Sequence, residues 1–271
     1  MPAPSVSIVI PAYNEQDTIE SCVLAALHQT SLAHEIIVVD NKSTDATADV
    51  VHALQLTYPD APIVYLQQTE VQGLIPTRNF GLDHATGDVI GRIDADSVLE
   101  PNWVEAVQEA FADPTVMGAT GPVIYYDMPL RRFGAIADDA LRRALIKVTR
   151  EFHLLFGSNM ALRNTAWQQI RDEACLDAAD EFHEDIDLSI HLNDHNLRVT
   201  YSSDMVTGMS ARRLDDNPRQ FYSYVMRFER TYDQHNIKSL SLRAPMAIFL
   251  SAYPALKAMR VGQNRWTALT E

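Results

Sequence analysis

Short, nearly unbroken apolar runs punctuate the first part of the chain: SVSIVI (5–10), EIIVVD (35–40), PIVYL (62–66) and DVIGRID (88–94). Strands buried on both faces read this way, because helices cover a parallel sheet above and below. Stretches of helical spacing separate them. One runs from about Asp17 to His28, and a second follows STD (43–45), where Ser43 or Thr44 can cap the first amides. A third covers 74–85, and a fourth opens at Pro101, a favoured first helical position. The alternation predicts a doubly wound α/β sheet. After about residue 125 the pattern changes. Residues 136–156 read as one helix, with Leu141, Leu145, Val148, Phe152 and Leu155 on one face and Arg142, Arg143, Lys147 and Arg150 on the other. Such a basic face suits an acidic lipid head group, a phosphate-bearing acceptor or plain solvent. In residues 216–271, Phe221, Tyr224, Phe228 and Tyr232 recur at helical spacing. They can serve an internal core or a dimer interface, which leaves the oligomeric state open.

Composition narrows the picture. With 271 residues, 46% of them hydrophobic, the chain has material for one large domain or a domain with an appendage. A formal net charge of −14 argues against nucleic acid as a partner. Cys22 and Cys175 are far apart, with no disulfide framework or metal-type spacing, which suits a reducing compartment. The opening apolar run lacks a basic flank and ends at Pro11, so it reads as a first strand rather than a leader. The stretch APMAIFLSAYPALKAM (244–259) is interrupted by Pro254 and Lys257 and is too short to span a bilayer. The expectation is a cytoplasmic protein, with peripheral contact at the inner face of a membrane compatible with it.

Candidate chemistry gathers at strand ends, where doubly wound sheets bind ligands. Pro11 to Glu15, Asp40, and Asp94 to Ser97 all follow strands. Asp94 and Asp96, one residue apart around Ala95, can hold Mg²⁺ or Mn²⁺, which keeps positions open for substrate phosphates, or can be a solvated turn. Asp40 can accept from a nucleobase N–H or serve as a turn aspartate. Arg78 can bind phosphate or lie on the surface. In HEDID, Glu184 or Asp185 can be a general base, or both can be helix N-terminal charges, a role Asp187 fits better. His183 is left outside the metal shell. Arg212 and Arg213 can clamp an anion or remain solvated.

The order of these segments says more than any one of them. SIVIPAYNE, VVDNKSTD, GLIPTRNFGLDHATGD, RIDADS, GSNMALR and HEDIDLS together resemble the family 2 glycosyltransferases over roughly residues 5–215. The resemblance implies a GT-A type, Rossmann-like, doubly wound mixed sheet over 1–215, with a nucleotide-sugar half (1–125), an acceptor half (126–215) and a helical extension (216–271). It implies an inverting transferase that moves a sugar from a nucleotide-diphosphate donor, commonly a UDP-sugar, to a glycan or lipid-linked acceptor in envelope or polysaccharide synthesis. On that resemblance Pro11, Ala12, Tyr13 and Glu15 cradle base and ribose, Asp40 binds the base, and Arg78, Arg212 and Arg213 serve the nucleotide. Asp94, Ala95 and Asp96 match the DxD, with Asp94 and Asp96 on Mg²⁺ or Mn²⁺. Asp185 is the catalytic base, and Asn159 and Glu184 belong to the acceptor site. The chain departs from the family at VVDNKSTD, where VVDDGSTD is usual: Asn41 and Lys42 replace an acidic residue and a glycine.

Other readings are weaker. DADSV fits the nucleophile motif of haloacid-dehalogenase-type phosphatases, yet it ends the fourth predicted strand rather than the first. Neither G-x-G-x-x-G nor GK[ST] is present, against a dinucleotide dehydrogenase or a P-loop enzyme. A binding protein with a dead site is the non-enzymatic alternative.

Overall fold

A computed structural model describes residues 2–148, 153–177 and 179–270. Its strands are β1 (Val6–Ala12), β2 (Glu35–Asp40), β3 (Ile63–Gln67), β4 (Val89–Arg92), β5 (Val98–Leu99), β6 (Val116–Thr120), β7 (Val123–Tyr125), β8 (Met160–Arg163), β9 (Arg198–Tyr201) and β10 (Thr207–Met209). The helices are α1 (Ile19–Leu27), α2 (Thr47–Thr57), α3 (Leu74–His84), α4 (Trp103–Ala110), α5 (Arg131–Val148), α6 (Asn164–Ile170), α7 (Glu184–Asp194), α8 (Pro218–Gln234) and α9 (Leu240–Thr270).

Among the described residues the main sheet runs β3-β2-β1-β4-β8-β6-β9. The first four strands are parallel, and β8 is antiparallel to both β4 and β6. The apolar runs seen in the sequence are therefore covered strands, and β1 and β4 are buried at every position. The chain moves outward from β1 to β3 and then returns to the other side of β1 as β4. This reversal makes a switch point, where adjacent loops part and leave a crevice at the carboxyl ends. Pairing of β1 with β4 stops at Val9–Arg92, while pairing with β2 continues to Ala12–Asp40. The β4 end diverges there, just before Asp94. A small second sheet, β5-β10-β7, roofs the region after the DxD.

Several local expectations are corrected. Ser43 and Thr44 do not cap α2; the Asp45 carboxylate accepts the Thr47 N–H at 3.0 Å, and Ser43 Oγ instead accepts from Asn14 N. The helix expected from Pro101 begins at Trp103. The helix expected over 136–156 starts at Arg131 and runs to Val148; Phe152 and Arg150 lie outside the described residues. His153 to Leu155 are not helical, because the His153 ring bonds the Val199 carbonyl and Leu155 N–H donates to Ser189 Oγ. Among the described residues the basic face is partly neutralised. Arg142 is buried, paired with Asp138 at 2.6 Å and stacked on Phe156, while Arg143 pairs with Asp139.

The aromatic stripe of α8 faces inward. Phe221 stacks on Tyr253 of α9, Tyr224 and Phe228 flank the buried His183 ring, and Tyr232 packs with Ile186 and Ile190 of α7. Asn217 and Gln220 form a reciprocal capping box ahead of Pro218, which defines where α8 begins. Helix α9 contains Pro245 and Pro254 without ending, and no helix of the described residues is long and apolar enough to cross a membrane. Its Arg260 reaches back to the Asp127 carboxylate at 2.7 Å and to Asp215. Asp127 in turn accepts from Ser210 Oγ (2.6 Å) and Ala211 N (2.8 Å).

Close packing of α4 under the sheet requires a glycine in β4. A Cβ on Gly91 would lie 2.3 Å from the buried Trp103 ring. We predict that Gly91→Ala lowers stability by about 1–3 kcal/mol, read from urea unfolding, because neither strand nor indole has room to move.

Candidate functional site

The crevice is walled by the turns after β1, β2 and β4. Asn14 and Lys42 both adopt left-handed backbone, with φ of 55° and 62°. Lys42 thus occupies the conformation that suits the family's glycine at this position. Asn14 Oδ1 accepts from Thr44 N and Thr47 Oγ1 accepts from Glu15 N, which stitches the two turns together. Tyr13 is half exposed beside them, while Pro11 and Ala12 are buried at the strand end. Asn41 is buried and donates to the Gln68 and Val71 carbonyls while accepting from Gly73 N. An aspartate could not donate to either carbonyl, so the departure from the family pattern braces the 68–73 loop ahead of α3. Asp40 lies at the crevice floor, 3% exposed, with Tyr65 Oη on one oxygen at 2.8 Å and Ser43 N on the other at 3.1 Å.

Asp94, Ala95, Asp96 and Ser97 form a turn closed by Ser97 N donating to the Asp94 carbonyl. The two carboxylates face different cations. Asp94 Oδ1 lies 2.6 Å from Arg78. Asp96 lies 3.1 Å from Arg212, which also makes a two-pronged contact with Glu15 at 2.8 and 3.1 Å. Burial, with Asp94 and Glu15 alongside, pushes the Asp96 carboxyl up to about 6 even against the pull of Arg212. The hydrogen bonds to Glu15 and the nearby Asp96 hold Arg212 firmly protonated against partial burial. Cys22 sits beneath this turn, its thiol pushed up by burial and by the aspartates, so it is inert packing.

Behind the turn lies a buried ion network. Arg78 of α3 bonds Glu184 as well as Asp94, and Arg92 of β4 lies 2.8 Å from the same Glu184 oxygen. Arg92 also donates to the Gly157 carbonyl. Burial alone would weaken the Arg78 charge, but Glu184 and Asp94 more than offset it. Burial likewise disfavours Glu184 as an anion, yet Arg78 and Arg92 hold its carboxyl down at about 2. Next to it, Asp185 is only partly buried; Gly157 N donates to its Oδ2 at 2.7 Å. Glu184, Asp185 and Asp187 share the first turn of α7, where the helix dipole favours anions.

The site expectations thus divide. Glu15, Arg78, Asp94, Asp96 and Arg212 come together at the switch point, and the network joins them to Asp185. Two residues expected at the acceptor site are buried and held by internal partners. Asn159 is 0% exposed and fully used, accepting from Trp103 Nε1 and donating to the Pro122 and Met205 carbonyls, so it cannot meet an acceptor. Glu184 is committed to two arginines, 6% exposed. Arg213 turns away onto Asp216 and the Tyr224 ring, so Arg212 alone of the two faces Glu15 and Asp96. Arg92 escapes the sequence reading; a lone arginine inside the otherwise apolar VIGRID run is its one signal.

Carboxylates gathered where a parallel sheet reverses its order, with arginines at hand, are what the GT-A fold presents to a nucleotide sugar. The model of glycosyl transferase family 2 matches residues 7–171, and the chain belongs to that family. That membership removes the phosphatase reading of DADSV. Among curated relatives, the glycosyltransferase AglE of Haloferax volcanii is 34% identical over 104 residues, 38% of this chain and 34% of the relative. A chondroitin synthase of Pasteurella multocida is 37% identical over 114 residues, 42% of this chain and 12% of the relative. The chain therefore matches only a minor part of these longer proteins. Of solved structures, the mannosyltransferase PcManGT of Pyrobaculum calidifontis, in complex with GDP-Man and Mn²⁺, superposes with a TM-score of 0.63 at 22% identity, covering 99% of this chain and 76% of that one. S. aureus TarS 1-349 in complex with UDP gives 0.59 at 16% identity, over 92% and 70%.

Replacing Glu184 by Gln leaves Arg92 buried without its carboxylate partner and Arg78 with Asp94 alone. We expect a loss of about 3–5 kcal/mol in urea unfolding at neutral pH. Because the folded Glu184 carboxyl is depressed from 4.5 to about 2, the stabilisation is complete above the ordinary value and fades as pH falls toward the depressed one. The stability gap between wild type and Glu184→Gln should accordingly be flat near neutrality and narrow in acid.

Proposed function

We propose that this protein transfers a glycosyl group from a nucleotide-diphosphate sugar to an acceptor hydroxyl, with inversion at the anomeric carbon and Asp185 as the base. The observation that carries the reading is the linkage Asp94–Arg78–Glu184, which ties the strand-end carboxylates to the helix turn that bears Asp185.

The residues fit a divalent cation. Asp94 and Asp96 supply hard oxygen donors from one turn, and Glu15, bridged to Asp96 by Arg212, supplies another from the turn after β1. Asp94 and Asp96 would hold Mg²⁺ or Mn²⁺, which when bound neutralises the diphosphate of the donor. The chain's own groups do the rest. The turns bearing Tyr13, Glu15 and Asp40 receive the nucleoside; Asp40 accepts from a base N–H with lone pairs beyond those Tyr65 and Ser43 engage. Arg212, at the start of a short 3-10 helix and in contact with Glu15 and Asp96, would stabilise the charge of the departing group. Asp185, held by Gly157 N, accepts the proton of the attacking hydroxyl. A pyrimidine donor such as a UDP-sugar is our preferred ligand, and a glycan or lipid-linked acceptor in envelope or polysaccharide synthesis the preferred partner.

Nucleotide sugars should raise the melting temperature of the wild type, more strongly with Mn²⁺ than with chelator. Asp96→Ala should lose that metal-dependent increment; equal binding of the donor with and without chelator in the wild type would refute the cation assignment. Asp185→Asn should lower kcat by about 10²–10⁴-fold while leaving donor affinity unchanged. A loss confined to donor affinity would remove Asp185 from the base role. Donor binding without transfer or hydrolysis in the wild type would favour the non-enzymatic reading.

A further inference from the structure

A second group of metal-type ligands lies on α7, on a side used by none of the chemistry above. Asp187 and His191 are four residues apart and so share one helix face. His235, the residue that ends α8, meets them from the neighbouring helix. His235 Nε2 is 2.6 Å from Asp187 Oδ1, and His191 Nε2 is 3.7 Å from the same oxygen. One ligand atom from each lies within 4.8 Å of the others, and all three residues are partly buried.

We propose that Asp187, His191 and His235 form a binding site for a single Zn²⁺ that staples α7 to the end of α8. Two imidazoles and one carboxylate are a common zinc donor set, with a fourth position left for water. Bonds of 2.0–2.2 Å at tetrahedral angles place ligand atoms about 3.3 Å apart. The observed 2.6 and 3.7 Å lie on either side of that spacing, so side-chain shifts of under about 1 Å bring both rings to it about the carboxylate.

The surroundings match what a zinc-bound imidazole needs. A ligating histidine commonly directs its other ring nitrogen to a carboxylate. Glu173 Oε2 lies 3.8 Å from His191 Nδ1 and is itself held at 3.1 Å by His195 Nε2. The second Asp187 oxygen accepts from Cys175 N at 2.6 Å, which leaves Oδ1 aimed at the two rings. The His235 backbone is fixed as well: its N–H bonds the Thr231 carbonyl, and Ile237 N bonds that of Tyr232. The donors therefore arrive on restrained pieces of backbone. This site is separate from Asp94 and Asp96 in both residues and donor chemistry, and it does not depend on the sugar-transfer reading.

Metal-free full-length protein would be titrated with Zn²⁺ by calorimetry and with Co²⁺ by visible absorption. Wild type and Asp96→Asn should each bind a single Zn²⁺ at this site, and the Co²⁺ form should show tetrahedral d–d bands that Zn²⁺ displaces. His191→Gln and His235→Gln should weaken Zn²⁺ binding by about a hundredfold or more, and Glu173→Gln by about tenfold, with metal-free circular dichroism unchanged. If a histidine variant fails to fold, Glu173→Gln and the wild-type Co²⁺ spectrum decide. The proposal is overturned if the wild type shows no tetrahedral Co²⁺ spectrum, if the histidine and glutamate variants bind Zn²⁺ as the wild type does, or if binding is lost in Asp96→Asn alone.

Discussion

A single carboxylate, Glu184, lies between two buried guanidinium groups, and the arrangement of the site depends on it. Arg92 comes from the central strand β4, Arg78 from α3, which packs on β1 and β2, and Glu184 from much later in the chain. Charges removed from water are tolerated only when each finds a partner in good geometry. The guanidinium of Arg78 meets that demand with two acids at once, so the place of Asp94 and the place of α7 are set by the same group. Asp185 inherits its position as the neighbour of Glu184. The network is therefore better understood as a registration device between the DxD turn and α7 than as a source of net stability.

The same logic explains why a strand that has just been buried ends in two like charges. Each aspartate of the DxD faces its own arginine: Asp94 has Arg78, fixed from within, and Asp96 has Arg212, arriving from a partly exposed loop. The inner pair is permanent architecture. The outer pair is reached from solvent, because the Arg212 side chain is 55% exposed. Buried and solvent-facing counter-charges one residue apart suit a site that must be rigid toward its scaffold and open toward its ligand.

Much of this is legible in the chain. The parallel strands are plain because continuous β-branched runs have one common use, and the strand-end acids follow from where such sheets bind. Helix limits are less legible. Tertiary contacts decide them: Ser189 and Val199 hold 153–155 outside the helix, and the Asp45 carboxylate, not Ser43, takes the Thr47 N–H at the start of α2. The burial of Asn159 and Glu184 is hidden from the sequence for a shared reason. A polar residue beside a reactive segment looks alike in sequence whether it faces the ligand or the interior, and only the carbonyls of Pro122 and Met205, or the guanidinium of Arg92, reveal which. The opposite error hides Arg92 within an apolar run. The grouping of Asp187 and His191 with His235 is hidden in another way: it needs the end of α8 to fold back onto α7, which no spacing rule announces.

The family match stops at residue 171, but the architecture that serves the donor crevice does not. Arg260, far along the last helix, grips Asp127; Asp127 anchors Ser210 and Ala211; and the next residue is Arg212. The terminal helix thereby acts as a guy-line for the loop that counters Asp96. A form shortened by the last helix alone would keep every strand-end acid and Arg212 yet lose the Arg260 grip on Asp127, so grafting or domain-exchange work on this scaffold has to carry that helix along.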